Sequence, residues 1–512
     1  NAANDFHEGL SLEVTGDTQV VDINQLKVAG DLNTATLSAN TLMLDKLVAL
    51  GDVTFNANST VQNGELSLGG TSTFNGDSIA LGNAANNFDG VVNLNLTGSA
   101  SLVGSGDLEV TGSAVEVDAK AGALAVSSLT AGDITLQANQ LELINFATAG
   151  NLTLNGGNVI QQGALQVGGT TSLGASNVTL QDQGNHFQGD VVLTLAGDVA
   201  LRTQQAVSLQ GSASSLDIQA GRELTQSAAL NVSGASDLTA STINLENSAN
   251  NFGGPVTLNA AGQATVVAGG NLSVGGNASA MTIVAEDELV LSNSTLGTLN
   301  ATARQISQSD VLTVSDSSAL HAESLTLFNA NNDLGASVNL DVTGQASVAD
   351  RNSVLIQGRA ETLNTAIADT LTAGELSIVS GNLQAGEINL NQLEVNLGAE
   401  LRAERISQTQ ASQSGGTLTL RANEVDLSMT GNDFSGQVIL QNVNIASIRD
   451  TNDLILSGRV NNLSVDAQRL AQLQDQSGAL IVQGTSDLRA ANVDLQNAAN
   501  NFSGAVELQV SD

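Results

Sequence analysis

A short motif that recurs seven times constrains the fold of this chain more than any other feature. Its regular form is Asn, any residue, Phe, any residue, Gly, any residue, Val, any residue, Leu. Repetition of a motif along a chain is the signature of a repeat architecture. The regular copies contain Asn86, Phe88 and Gly90; Asn185, Phe187 and Gly189; Asn250, Phe252 and Gly254; Asn432, Phe434 and Gly436; and Asn500, Phe502 and Gly504. Two copies depart from this form: Asn332 with Leu334 and Ala336, and Asn4 with Phe6 and Glu8.

The motif belongs to a longer cassette. Two aliphatic residues lie nine and seven positions before each Phe or Leu from 88 onwards, for example Ile79 and Leu81. Apolar residues two apart indicate a strand with one buried face. A Gln also lies 26 positions before the last six Phe or Leu residues, at Gln62, Gln161, Gln226, Gln308, Gln408 and Gln476.

The spacing between cassettes favours a solenoid. Successive Phe or Leu positions are 82, 99, 65, 82, 100 and 68 residues apart, and most intervals differ by steps near 17. Insertion of whole coils of about 16–17 residues explains such steps, because each coil of a solenoid contacts only its neighbours. The interval order then repeats. We therefore predict one continuous shaft over residues 1–512, with an internal duplication of roughly 4–249 and 250–512.

Composition identifies the solenoid as all-β. Apolar residues make up 41 % of the chain, but aromatic residues only 2 %, which suits a narrow core of stacked aliphatic side chains. The 52 Gly and many Asn residues supply turns, and the single Pro, Pro255, falls in a motif turn. We predict a right-handed parallel β-helix, an elongated rod of roughly 31 coils. The best helical pattern, at residues 466–476, is still interpreted as strand and turn.

Charge excludes several classes of partner. The chain has 15 basic and 51 acidic residues, a net charge of −36, so nucleic acid and anionic membrane surfaces are not expected to bind. No apolar run is long enough to cross a bilayer, so no membrane insertion is expected. The absence of cysteine is typical of a long bacterial exoprotein that crosses the periplasm unfolded. The chain begins and ends inside the repeats, which indicates an internal segment of a longer protein.

No residue pattern points to catalysis or to a resident metal. The three histidines, His7, His186 and His321, lie far apart, and the common hydrolase and phosphate-binding motifs are missing. We interpret the motif Asn as a source of turn hydrogen bonds and the Phe as a core wedge. We expect no catalytic, cofactor or metal residue, with calcium as a candidate counterion of the acidic surface.

The cassette resembles the repeats of filamentous-haemagglutinin-like exoproteins of Gram-negative two-partner secretion, including large biofilm-matrix adhesins. The Asn-x-Phe-x-Gly-x-Val copies carry the resemblance, together with Ile306-Ser307-Gln308 and Ile406-Ser407-Gln408. It implies the stalk of an extracellular, cell-surface or matrix adhesin, exported through an outer-membrane transporter. The family's amino-terminal secretion domain and any toxin or anchoring module are missing from this sequence.

Three functions stay open at this point. The leading hypothesis is the shaft of a secreted adhesin that mediates cell–cell or cell–matrix attachment in biofilm. Such a shaft is expected to be monomeric, to bind exopolysaccharide or a cell-surface receptor, and to have no deep pocket of converging carboxylates. One alternative is the stalk of a contact-dependent toxin-delivery exoprotein. The other is a glycan-degrading β-helix enzyme, which is disfavoured because the acidic residues are dispersed and no Trp or Tyr offers a platform for a sugar. The densest basic group is Arg402, Arg405 and Arg421.

Overall fold

The protein is described by a computed structural model that covers residues 4–510, apart from the side chain of Gln476. Its regular structure consists of β-strands and one short 3-10 turn, Gln476–Gly478. The all-β prediction is therefore confirmed. No helix within residues 4–510 is long and apolar enough to cross a membrane.

The contacts divide the chain into two compact units, Asn1–Ala260 and Ala261–Asp512. Strands β1 to β26 of the first unit are Leu10–Glu13, Asp17–Val21, Gln25–Leu32, Thr34–Ala49, Val53–Gln62, Leu66–Leu68, Ser72–Leu81, Asn87–Phe88, Val92–Leu96, Ser99–Val103, Asp107–Ser113, Glu116–Lys120, Ala123–Ala131, Asp133–Ile144, Phe146–Thr148, Leu152–Gln161, Leu165–Val167, Thr171–Leu180, His186–Phe187, Val191–Thr203, Val207–Ala220, Glu223–Val232, Ser236–Ala240, Thr242–Leu245, Asn251–Phe252 and Val256–Ala260. Strands β27 to β46 of the second unit are Gln263–Ala268, Leu272–Ala285, Glu288–Thr302, Gln305–Gln308, Leu312–Ala322, Ser324–Leu327, Ser337–Val342, Gln345–Asp350, Val354–Leu390, Leu393–Arg402, Arg405–Gln408, Gln413–Ser414, Thr417–Arg421, Glu424–Leu427, Gln437–Arg449, Asp453–Ala471, Leu480–Val482, Ser486–Val493, Asn501–Phe502 and Val506–Val510.

Each unit is a parallel β-solenoid, as predicted. One coil of the first unit contributes three faces, β6 and the two halves of β7. These pair in parallel with β8, β9 and β10 of the next coil. In the second unit, β29 pairs in parallel with β30, and β30 with β32. Each strand thus stacks on the equivalent strand one coil away, so neighbouring coils satisfy the backbone hydrogen-bonding groups of the faces.

The coils are longer and less uniform than expected. Val110 pairs with Val126, a step of 16 residues, whereas Ser72 pairs with Val92, a step of 20. The longer coils carry the motif, because its Asn sits in an added corner turn between two faces. Residues 4–510 consequently form about 28 coils, fewer than predicted.

Columns of aliphatic side chains fill the core of each coil. Leu136, Leu154, Leu173 and Leu193 are consecutive partners across four coils, and all are buried. Burying one such side chain contributes about 1.5–3 kcal/mol. Phe55 and Phe74 form an aromatic pair in such a column, and their rings stack with centroids 4.6 Å apart. Alternation of apolar and polar residues is therefore the main determinant of which side chains face inward.

Candidate functional site

The motif residues occupy the interior of the coil corners. Asn86, Asn185, Asn250, Asn332 and Asn432 are all buried, as are Phe88, Phe187, Phe252, Leu334 and Phe434. Phe6 is exposed, and Asn4, Asn500 and Phe502 are only partly buried. Most motif residues are thus inaccessible to a ligand.

Six of the seven motif Asn residues pair with a Gln through two amide hydrogen bonds. The Oδ1 atom of Asn185 accepts from Gln161 Nε2 at 2.7 Å and from the backbone nitrogen of Leu165 at 2.9 Å. Its Nδ2 atom donates to Gln161 Oε1 at 2.9 Å and to the carbonyl oxygens of Leu180 and Arg202 at 3.0 and 3.1 Å. The Asn therefore ties three consecutive coils together, and its amide has no hydrogen-bonding capacity left for a ligand.

The same pair recurs in six cassettes. The pairs are Gln62–Asn86, Gln161–Asn185, Gln226–Asn250, Gln308–Asn332, Gln408–Asn432 and Gln472–Asn500. Five pairs are separated by 24 residues and the last by 28.

The last pair departs from the sequence pattern, in which Gln476 is the Gln that lies 26 positions before Phe502. Gln472 pairs with Asn500, because the final cassette contains an extra corner after Gln472. Gln476 itself begins the 3-10 turn of that corner, which Asp475 caps.

The motif Gly marks a close approach of two backbones. A Cβ atom at Gly436 would collide with the backbone of Gly416. The sequence analysis missed the partner Gly, although a Gly 20 residues earlier was its signal. The stacked pairs are Gly70/Gly90, Gly169/Gly189, Gly234/Gly254, Gly416/Gly436 and Gly484/Gly504.

A second cassette position holds a buried hydroxyl. It lies 16 residues before the motif Phe or Leu and is occupied by Ser72, Thr171, Ser236, Ser318 and Ser486. Within the described residues these hydroxyls have no hydrogen-bond partner. In the remaining cassette the position is Leu418, which shows that an apolar side chain fits it.

We expect Thr171→Val to stabilise the protein by about 1–2 kcal/mol, because it removes an unpaired buried hydroxyl and keeps the side-chain shape. Thr203→Val is the matched control, since the Thr203 hydroxyl donates to the Asn185 carbonyl oxygen at 2.6 Å. That control should be destabilised. Chemical denaturation of both variants measures the difference, and equal destabilisation of the two would contradict the expectation.

A third recurring group is an Asp that lies 16 residues after the motif Phe or Leu. Asp450 accepts hydrogen bonds from the backbone nitrogens of Phe434 at 2.8 Å and Asn452 at 2.7 Å. Asp350 makes the equivalent bonds to Leu334 and Asn352. Burial raises the pKa of both carboxyl groups, and the backbone donors oppose that rise.

This raised pKa predicts a pH dependence. The folded chain holds the Asp450 proton more tightly than the unfolded chain, so the contribution of this group to stability is lost as the pH rises from 3.8 through the folded pKa. Asp450→Asn removes the titration. As the pH falls from about 7 to about 4, we expect wild type to gain stability relative to this variant. Urea unfolding at both pH values measures the difference in unfolding free energy between the two proteins. The same difference at both pH values would contradict the expectation.

Two of the histidines and most of the arginines form ion pairs on the surface. His321 and Arg359 both contact Asp341, at 2.7 and 2.5 Å, and they lower the pKa of that carboxyl group. Arg405 pairs with Glu424 and Arg421 with Glu400. Among residues 4–510, no three His, Cys, Asp or Glu side chains converge to hold a metal ion. Two of the three arginines in the basic group noted in the sequence, Arg405 and Arg421, are thus paired with acidic side chains.

One face of the first unit carries two open cavities of about 470 and 690 Å³. Asn158 lines both cavities. Carboxylates stand among neutral and apolar residues in each lining: Asp89, Asp107, Glu109 and Glu142 in one, and Asp198, Asp217 and Asp237 in the other. We name this feature the acidic groove. Within residues 4–510, no three of its carboxylates converge on one point.

Six ranges of the chain match a protein family: residues 29–95, 131–194, 196–259, 275–341, 350–441 and 442–509. Each range ends seven residues after a motif Phe or Leu, so the family's repeat contains the cassette described above. No curated protein and no solved structure matches the chain. The matched ranges cover most of the sequence, and the chain therefore belongs to the family described as Repeats of unknown function (DUF5649).

Proposed function

We propose that this chain is the shaft of a large secreted adhesin that attaches cells to one another or to the biofilm matrix. The observation that carries the proposal is the closed hydrogen bonding of the cassette. The repeated Gln–Asn pairs and Gly–Gly stacks connect successive coils, so the residues that recur in every cassette serve coil stacking. A chain organised in this way suits a spacer or scaffold.

Chain composition and the resemblance of the cassette support the extracellular part of the proposal. A chain without cysteine that is rich in acidic residues suits export through an outer-membrane transporter and display at a bacterial surface. We propose that it acts as a monomer, without catalysis, and that exopolysaccharide or a cell-surface receptor is its partner. Calcium is proposed only as a counterion that bridges acidic surfaces.

Co-sedimentation with bacterial exopolysaccharide tests the adhesive role. The purified chain is mixed with polysaccharide from a biofilm-forming strain, with and without millimolar calcium, and albumin serves as the acidic control protein. We expect the chain, but not albumin, to pellet with the polysaccharide, and calcium to increase the pelleted fraction. If the chain stays in the supernatant with every polysaccharide and with intact cells, it is a passive spacer and the adhesive proposal fails.

A further inference from the structure

Three Asn-Gly dipeptides occur in the chain, at Asn63-Gly64, Asn75-Gly76 and Asn155-Gly156. Asparagine is a thermolabile residue, and it is most reactive before glycine, which has no Cβ atom to hinder approach or to restrict the backbone. The glycine nitrogen attacks the side-chain carbonyl carbon of the asparagine, and no enzyme is needed. The reaction requires a side chain that can rotate and a backbone nitrogen that is free to attack. The surroundings of each dipeptide therefore determine whether it reacts.

The second and third dipeptides lie inside strands β7 and β16. Backbone nitrogens within these strands are engaged by neighbouring coils, so a strand has to open before its glycine can attack. Asn75 is held further by its own amide, because its Nδ2 atom donates to Asn56 Oδ1 and its Oδ1 atom accepts from Asn95 Nδ2, both at 2.8 Å. The side chain of Asn155 is partly buried. The sheet thus protects both dipeptides.

Asn63-Gly64 lies outside the strands, in the bend between β5 and β6. The Asn63 side chain is exposed, and its amide makes no hydrogen bond within residues 4–510. The Gly64 nitrogen lies 3.4 Å from the Leu44 carbonyl oxygen, which already accepts from the Asn63 nitrogen at 2.7 Å. Such a long contact holds the Gly64 nitrogen only weakly. Both reacting groups are therefore available in the folded chain.

We propose that Asn63-Gly64 is a site of spontaneous covalent modification, at which the asparagine becomes aspartate or isoaspartate. The Gly64 nitrogen gives its proton to solvent and bonds to Asn63 Cγ, while the Cγ–Nδ2 bond breaks and ammonia leaves. Water then opens the cyclic imide. Opening at Cγ gives aspartate, whereas opening at the backbone carbonyl of Asn63 gives isoaspartate, in which the main chain runs through the side chain. Either product replaces a neutral amide with a carboxylate.

The modification acts on the hydrogen bonds of the first complete cassette. Gln62 Nε2 donates to the Gly64 carbonyl oxygen at 2.6 Å and also to Asn86 Oδ1. Isoaspartate adds a methylene group to the main chain directly before Gly64. The corner has no room for it, since even a Cβ atom at Gly64 would collide with the backbone nitrogen of Lys46. The Gly64 carbonyl group therefore shifts away from Gln62, and the Gln62–Asn86 pair loosens.

The second cassette supplies a matched replacement. Gln162-Gly163 occupies its equivalent corner, where Gln161 Nε2 donates to the Gly163 carbonyl oxygen at 2.6 Å, as in the first cassette. Glutamine cyclises far more slowly than asparagine, because its longer side chain would have to close a larger ring. Asn63→Gln thus removes the reaction and keeps a dipeptide that this kind of corner accepts.

The test follows all three dipeptides in the intact chain during storage in mildly acidic and mildly alkaline buffers. Mass spectrometry of proteolytic peptides detects the conversion of amide to acid, and an isoaspartyl methyltransferase assay detects the isoaspartate. The Asn63 peptide should react, and faster in alkaline buffer, because the attacking nitrogen must lose a proton. Peptides with Asn75 and Asn155 should react at least roughly tenfold more slowly, since local opening must come first. Asn63→Gln should abolish the isoaspartate signal.

A chain unfolded in urea is the control, because all three dipeptides should then react at similar rates. If the three also react alike in the folded chain, or if Asn63 stays intact while the unfolded chain reacts, the assignment of this site is wrong. Hydrogen exchange tests the structural consequence. The Leu66 nitrogen donates to Asn86 Oδ1 at 3.0 Å, and its amide should exchange faster in stored wild type than in stored Asn63→Gln. Equal exchange would overturn the loosening of the Gln62–Asn86 pair.

Discussion

Asn432→Leu is expected to cost about 3–5 kcal/mol of local stability, because it leaves several buried polar groups without partners at once. In the wild type, Asn432 Oδ1 accepts from Gln408 Nε2 and from the Ser412 nitrogen, both at 2.9 Å. Its Nδ2 atom donates to Gln408 Oε1 and to the carbonyl oxygens of Leu427 and Arg449. Leucine has a similar size but satisfies none of these groups.

Hydrogen exchange is the appropriate measurement, because a solenoid loses structure locally and one global unfolding free energy can miss the effect. Amides of the coils that contact residue 432 should exchange faster, while distant coils stay protected. Asn423→Leu is the matched control, since Asn423 is exposed in the same unit, and it should change stability by no more than about 0.5 kcal/mol. If the two variants behave alike, the buried amide pair does not hold the coils together.

A double-mutant cycle tests Gln408, the partner of Asn432. Gln408→Leu alone should also be strongly destabilising, because Asn432 then loses a donor and an acceptor. The double variant should cost clearly less than the sum of the two single changes, since the two side chains act as one unit. Additive effects would mean that Gln408 and Asn432 act independently.

Sequence reasoning predicted the solenoid but only part of its stabilising network. The Gln and Asn positions were each recognised from their spacing, because both recur at a constant distance from the motif Phe. That they face each other was not predictable, since the pairing depends on where a corner turn returns the chain. The final cassette shows this: an additional corner makes Gln472, not Gln476, the partner of Asn500.

The acidic groove could not be predicted from the sequence, for a related reason. Its columns join residues 16 to 21 positions apart, such as Asp107 with Ala123 and Asn177 with Asp198. A surface column appears in the sequence only when every coil has the same length, which is not the case here. Core columns were easier to predict, because alternation within one strand identifies an inward residue without knowledge of its neighbours.

Gly436→Val is expected to separate two coils at a motif corner and to cost about 3 kcal/mol or more. Gly436 lies directly over Gly416, and any Cβ atom would enter the space of that backbone. The cost is steric, not conformational, because Gly436 is outside the left-handed region. The backbone contact from the Gly436 nitrogen to the Ser414 carbonyl oxygen, at 3.1 Å, should open.

Gly270→Val separates this contact from the general effect of replacing a glycine. A Cβ atom at Gly270 would have no neighbour within 4 Å, and Gly270 also lies outside the left-handed region, so its substitution should be nearly neutral. Ala336 supports the distinction within the chain itself. There the motif position faces Asp316, to whose carbonyl oxygen Ala336 donates at 2.9 Å, in place of a stacked glycine. Thermal denaturation and hydrogen exchange around residue 416 measure both variants. Equal stability of Gly436→Val and Gly270→Val would refute the requirement for glycine at the stack.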